Sequence, residues 1–288
     1  MKKMLIAHSP DADDIFMYYA IKFGWVDMKD TVFDNIAEDI QTLNEKALRG
    51  EYEIVAISFA LYPHIKADYA PLRTAVSFGE GYGPKVMKKK GATLKRNFKV
   101  ALSGEHTTNA MLFRIKYPDA RITYMNFLEI EQAVLDGVVD AGVLIHESIL
   151  TYDDALEVEA EMWDIWQELA GKDLPLPLGG MAISRALPLN KAIEYEKTLT
   201  KAVDVARKHK EKLSQMLLER NLVRIDAPTL DKYLELYAND ESIELSETQY
   251  KAIDKLFELG YKNGFYDAPL NVQDYIIPIE YEELRRGE

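Results

Sequence analysis

The chain has 288 residues, 48% of them hydrophobic, which is enough to bury a large core as one big domain or as two lobes of ordinary size. It has no cysteine, which excludes a disulfide framework, a thiolate nucleophile and a Cys-ligated zinc site. A formal net charge of −13, from 48 acidic against 35 basic residues, disfavours nucleic acid as a partner.

The N-terminus, MKKMLIAHSPDADD, sets only a short apolar run behind its lysines, far less than a secretory leader carries. No later segment approaches the roughly 20 uninterrupted apolar residues of a membrane span. The expectation is a soluble, cytoplasmic protein with no membrane association.

Strand-length apolar runs then alternate with helix-length amphipathic segments. MLIAH (4–8) precedes a helix over 12–26, EIVAIS (53–58) one over 59–67, KVALS (99–103) one over 107–117, and RITYM (121–125) one over 128–138. AGVLIH (141–146) is the next strand candidate. This rhythm predicts an α/β protein with parallel sheets of βαβ units. Helix starts are marked chemically too: Asp11 precedes the first, and Thr107 can cap the segment beginning at Thr108. Pro118 stops the helix ending at Tyr117, and Leu128, Val134, Leu135 and Val138 lie mainly on one helical face with Gly137 near its end.

Two glycine- and proline-rich stretches interrupt the rhythm, SFGEGYGP (77–84) and PLPLGG (175–180). They suggest a chain that leaves one lobe and later returns: lobe 1 from 1–80 and 190–288, lobe 2 from 81–189, with crossings near 79–83 and near Leu187 and Pro188. Gly79, Gly81 and Gly83 lead into Val86 and Met87, a strand rather than a helix, so this GxGxG reads as a hinge and not as a nucleotide fingerprint. The basic cluster over 85–96, with Lys88, Lys89 and Lys90, has no interleaved aromatics and reads as a solvated loop or strand edge. From 190 to 222 the pattern is a long amphipathic helix, with further helices over 226–237 and 246–263.

Of the five histidines, His146 has the most informative context. It closes the apolar run from Ala141 to Ile145, so it should stand at the carboxyl end of a parallel strand, where open α/β sheets bind their ligands. An imidazole there suits general acid or base work, although a backbone carbonyl could equally hold it as a structural residue. Ser9 to Asp14 at the first helix start, Ser58 at a strand end, and Ser103 with Thr107 and Thr108 at a third helix start are candidate anion cradles. Each is also an ordinary helix cap. Adjacent carboxylates at Asp13 and Asp14 point in different directions on a helix, and no further ligands at metal spacing accompany them, so no metal is expected. The first strand is not followed by GxGxxG and there is no P-loop, so no nucleotide cofactor is expected either.

The segments SPDADDIFMYYAI (9–21), VAISFALYP (55–63), GEGYGPKVM (79–87), VALSGEHTTNAMLF (100–113), DAGVLIHESILTY (140–152) and PLPLGGMAISR (175–185) together resemble the 1,4-dihydroxy-6-naphthoate synthase family of the futalosine route to menaquinone, LIHE most specifically. The resemblance implies a type II periplasmic-binding-protein-like fold, two lobes around a ligand cleft. It further implies a cofactor-independent lyase that cleaves cyclic dehypoxanthine futalosine, a small carboxylate, to 1,4-dihydroxy-6-naphthoate and a dihydroxyacetone fragment. By resemblance His146 is the catalytic base, with Ser58, Ser103, Thr107 and Thr108 around the substrate; Ser9, Asp14, Gly179 and Gly180 are further binding candidates.

One departure stands out. Many members read SPCPND where this chain reads SPDADD, so Asp14 matches while Asp11, Ala12 and Asp13 do not. Extra carboxylates beside an anionic substrate weaken binding unless they are paired or point away. Two other readings share the fold: a solute-binding protein for a small carboxylate, which the absence of a leader disfavours, and a chorismate dehydratase of the same pathway, which the LIHE segment disfavours. Oligomeric state is not legible in this sequence.

Overall fold

A computed structural model describes residues 2–28, 31–171, 173–238 and 242–278. Its strands form two five-stranded sheets. In the first, β1 (Lys2–His8) runs parallel to both β2 (Thr31–Ala37) and β3 (Ile54–Ser58), while β10 (Leu176–Ser184) lies antiparallel between β3 and β4 (Tyr69–Gly79). The second repeats the plan. There β6 (Lys99–Leu102) is parallel to β7 (Arg121–Tyr124) and β8 (Ala141–Leu144), and β5 (Lys85–Lys89) lies antiparallel between β8 and β9 (Leu156–Glu161). Each sheet thus holds one antiparallel strand in the same place, supplied by the chain next to a crossing between lobes.

The strands carry side chains that suit this burial. All five residues of IVAIS in β3 are buried, as are all four of AGVL in β8, which is why those runs read as continuously apolar rather than alternating. Helices cover the sheets: α1 (Ala12–Lys22), α2 (Ile40–Leu48), α3 (Tyr62–Ile65), α4 (Thr108–Lys116), α5 (Phe127–Leu135) and α6 (Met162–Ala170) follow strands, and α7 (Leu189–Lys208), α8 (Lys210–Glu219), α9 (Ala227–Tyr237) and α10 (Glu247–Lys262) close the chain. The helix expected over 190–222 is broken at His209 into α7 and α8. Both α7 and α9 pack on α1 and β4, tying the end of the chain to the first lobe.

The return to the first sheet comes earlier than expected. It lies ahead of Leu176 rather than near Leu187 and Pro188, because PLPLGG is not a loop: Gly179 to Ile183 pair in register with β3, and Leu176, Ala182 and Ile183 are buried. The lobe boundary expected at 189–190 therefore falls beyond β10, a first-sheet strand. Its proline is tolerated because Pro177 sits at a register shift against β4. The basic cluster also differs from expectation. Lys85 and Lys88 lie on an interior strand, and their ammonium groups pair with Glu157, Glu159 and Glu161 on β9.

Candidate active site

A cleft lies between the two sheets, at the carboxyl ends of β1, β3, β6 and β8. Every site residue singled out from the sequence lines it: Ser9, Asp14, Ser58, Ser103, Thr107, Thr108, His146, Gly179 and Gly180. Gly179 is there for close packing of backbones, since a Cβ at this position would stand 2.6 Å from the Ile57 carbonyl oxygen. Among the described residues no lysine or arginine lines the cleft.

One end of the cleft is built of neutral donors. Asn44, on α2, donates to Ser58 Oγ at 3.1 Å and accepts the Ser58 N–H at 3.0 Å, which leaves the Ser58 hydroxyl proton for a ligand. Thr107 caps α4, accepting the Ala110 N–H at 3.1 Å and donating to Gly104 O at 2.9 Å. Its hydroxyl is therefore committed. Thr108 is committed as well: it donates to Leu178 O at 2.9 Å and accepts the Ala60 N–H at 3.3 Å, joining α4 to the first lobe. What these threonines offer an anion is their position at the first turn of α4, where the N–H groups of Thr108 and Asn109 have no intrahelical partner.

The other end is built of titratable groups. His146 follows β8 with φ +57°, a backbone conformation that is strained for a side chain of this size, and Ala75 across the cleft has φ +56°. The imidazole packs edge-on against Phe127, with ring centroids 4.8 Å apart. Its Nδ1–H donates to Asp11 Oδ2 at 2.6 Å, and Nε2 is buried with no hydrogen-bond partner among the described residues. Burial lowers the His146 pKa, but the charge and hydrogen bond of Asp11, with the charges of Glu147 and Asp14, outweigh it and hold the group above its ordinary value.

The carboxylates that stood in doubt prove to be paired or screened. Asp11 is taken by His146, and the Tyr233 hydroxyl approaches Asp13 Oδ1 at 3.4 Å. Asp14 accepts the Ser9 N–H at 2.8 Å, and its pKa is pushed up to about 7 by burial and by the charge of Asp11. Burial first, then neighbouring negative charge, also raises Asp13 and Glu147. A carboxyl group whose pKa is raised in this way carries its charge over a narrower range of pH.

Several contacts at this end were not legible in the sequence. Glu147 accepts the Ala12 N–H at 3.1 Å and receives Arg224 at the same distance; Arg224 comes from the connection between α8 and α9. Tyr233 and Tyr237 reach the cleft from α9. No motif marks Arg224, Tyr233 or Tyr237, whose place depends on α9 packing against α1. His8, by contrast, is structural: its Nδ1 lies 2.6 Å from Ser9 O, its Nε2 3.0 Å from the Asn35 side chain, and it stacks on Tyr18.

The model of a family described as menaquinone biosynthesis matches residues 4–262. The chain is 31% identical over 270 residues to the 1,4-dihydroxy-6-naphthoate synthase of Streptomyces coelicolor, a match covering 91% of this chain and 94% of that one. Among solved structures, it is similar to a protein of Archaeoglobus fulgidus at 35% identity and a TM-score of 0.85, over 91% of this chain and 98% of the other. It is also similar to the periplasmic aliphatic sulphonate binding protein of Escherichia coli, at 13% identity and a TM-score of 0.65, over 96% and 98%. That last likeness is one of fold alone, and with the strand order it identifies the two-lobed, type II periplasmic-binding-protein-like architecture.

Proposed function

Because the chain belongs to the menaquinone biosynthesis family, we propose that it is a cytoplasmic carbon–carbon lyase of the 1,4-dihydroxy-6-naphthoate synthase type, acting without a cofactor on cyclic dehypoxanthine futalosine. The observation that carries this reading is the state of His146: Nδ1 is engaged by a carboxylate, and Nε2 lies buried at the cleft without a partner. A nitrogen in that state is available to take a proton from a bound substrate.

The substrate carboxylate lies against the hydroxyls of Ser58 and Ser103 and the first turn of α4, which hold an anion through dipoles rather than a full positive charge. That orientation puts the remainder of the substrate toward Ser9, Asp14 and His146. Gly179 and Gly180 line the cleft between these ends, and an added Cβ at either would press on Ile57 or on Val76 and Phe59 behind the wall. His146 Nε2 removes a proton, the carbon–carbon bond breaks, and water is kept from the reacting atoms by the lobes on either side.

Incubating the purified protein with cyclic dehypoxanthine futalosine and following 1,4-dihydroxy-6-naphthoate by mass tests the proposal directly. Product formed at a rate proportional to enzyme is the expected result. Tight binding without turnover would instead make the cleft that of a solute-binding protein, and no binding at all would remove this substrate.

A further inference from the structure

We propose that Asp11, reaching across the cleft from the first lobe, is the positioning residue that makes His146 a base. The inference rests on the reading of His146 given above. Asp11 occupies the N-cap position of α1 with extended backbone, yet its side chain makes no capping hydrogen bond. An aspartate at that position ordinarily accepts an N–H of the first turn. Here Oδ2 takes the Nδ1–H of His146 at 2.6 Å instead, and Oδ1 has no hydrogen-bond partner among the described residues.

The consequence for the imidazole is specific. A neutral histidine carries one ring proton, and a carboxylate at Nδ1 keeps that proton on Nδ1, so the lone pair is left on Nε2. Nε2 is the nitrogen without a protein partner. Without Asp11 the proton is free to move to Nε2, where it would block the acceptor the reaction needs.

The pairing also spans the two lobes. Asp11 and Ala12 stand at the start of α1, just after β1 of the first lobe, whereas His146 and Glu147 follow β8 of the second. The Ala12 N–H bond to Glu147 and the Arg224 contact to Glu147 cross at the same place. Substrate reaches the buried Nε2 only when these surfaces part, and parting them separates Asp11 from His146. The base is complete only after the lobes come back together.

The charged and titratable groups around the imidazole are Asp11, Asp13 and Asp14 from the start of α1, Glu147 from its own turn, Arg224 from the α8–α9 connection and Tyr233 from α9. Asp11→Asn removes one negative charge from this set and leaves the rest. Two effects are expected together: kcat falls by a factor on the order of 10²–10⁴, as when a carboxylate that holds a catalytic histidine is amidated, and the acid limb of the kcat–pH profile moves to lower pH. KM changes little, because Asp11 does not form the anion-holding end of the cleft.

Nitrogen-15 NMR of histidine-labelled protein, with His146 assigned by comparison with His146→Gln, reads the tautomer without any substrate. Measured above the imidazole pKa, where the ring carries a single proton, the wild type should show His146 protonated at Nδ1, and Asp11→Asn should lose that preference. A wild-type His146 protonated at Nε2, or a well-folded Asp11→Asn protein with unchanged kcat and acid limb, would overturn the proposal. A wild type that yields no dihydroxynaphthoate would sink the lyase reading, while the tautomer measurement would still decide the pairing.

Discussion

Ser9 donates its backbone N–H to Asp14 Oδ2 at 2.8 Å, so the turn into α1 is closed by a carboxyl group that is itself buried in the cleft. Burial and the charge of Asp11 raise the pKa of Asp14 from 3.8 to about 7, against the lowering effect of that hydrogen bond and of His146.

A folded-state pKa above the unfolded value means that the folded protein binds the extra proton. The stability linked to Asp14 is therefore fully present below about 3.8 and is lost as pH rises through about 7. Asp14→Asn, which cannot ionise, should gain melting temperature relative to the wild type as pH goes from 4 to roughly 8. Thermal scans of the two proteins across that range measure the gap. A gap independent of pH would mean that Asp14 titrates as an ordinary surface carboxylate.

His146→Ala should cut turnover by about 10²–10⁴-fold, the usual contribution of a general base, while substrate affinity measured by calorimetry changes little. In the wild type, activity should fall as pH drops through the imidazole pKa, and that fall should be centred above 6.5 because Asp11, Glu147 and Asp14 hold the group up against burial. Turnover near the native level in a folded His146→Ala protein would take His146 out of the mechanism.

Ser58 and Thr108 both line the anion-holding end, yet their substitutions should act on different quantities. Ser58→Ala removes a donor to the substrate carboxylate, a hydrogen bond to a charged group worth about 1.5–3 kcal/mol, and should raise KM about 10- to 100-fold. Thr108→Val leaves Leu178 O and the Ala60 N–H without their partner and should cost about 1–3 kcal/mol of stability to denaturant instead. Equal effects of the two variants on KM would show that the Thr108 hydroxyl serves the ligand after all.

Gly179→Ala should destabilise the protein by about 1–3 kcal/mol, since the added methyl group meets the Ile57 carbonyl across the β3–β10 pairing. Denaturant titration gives the number. A neutral substitution would mean that β10 can shift away from β3 without loss.

Much of the frame was legible in the chain itself. The run IVAIS reads as a buried strand because all five of its residues are buried and the first four are apolar, and Thr107 reads as a cap because its hydroxyl does satisfy the Ala110 N–H. The strand at β10 was not legible. Proline and glycine ordinarily punctuate, and only the register of β3 and β4 on either side holds PLPLGG extended. The segment 31–48, with β2 and α2, carries a weak apolar signal, since of β2 only the first and third residues are buried.

The candidate site divides in the same way. His146 could be picked out from the sequence because its position after an apolar run determines which end of a strand it occupies, and a strand end is a local property. The sequence by itself determined the α/β class, most strand and helix positions and the candidate residues, because periodicity and capping act over a few neighbouring residues. Only the tertiary structure decided that Asp11 meets His146, that Arg224 meets Glu147 and that the hydroxyl of Thr108 is already committed. Those contacts join residues from opposite sides of a cleft, where partner choice follows from how the two sheets face one another and leaves no periodic trace in the chain.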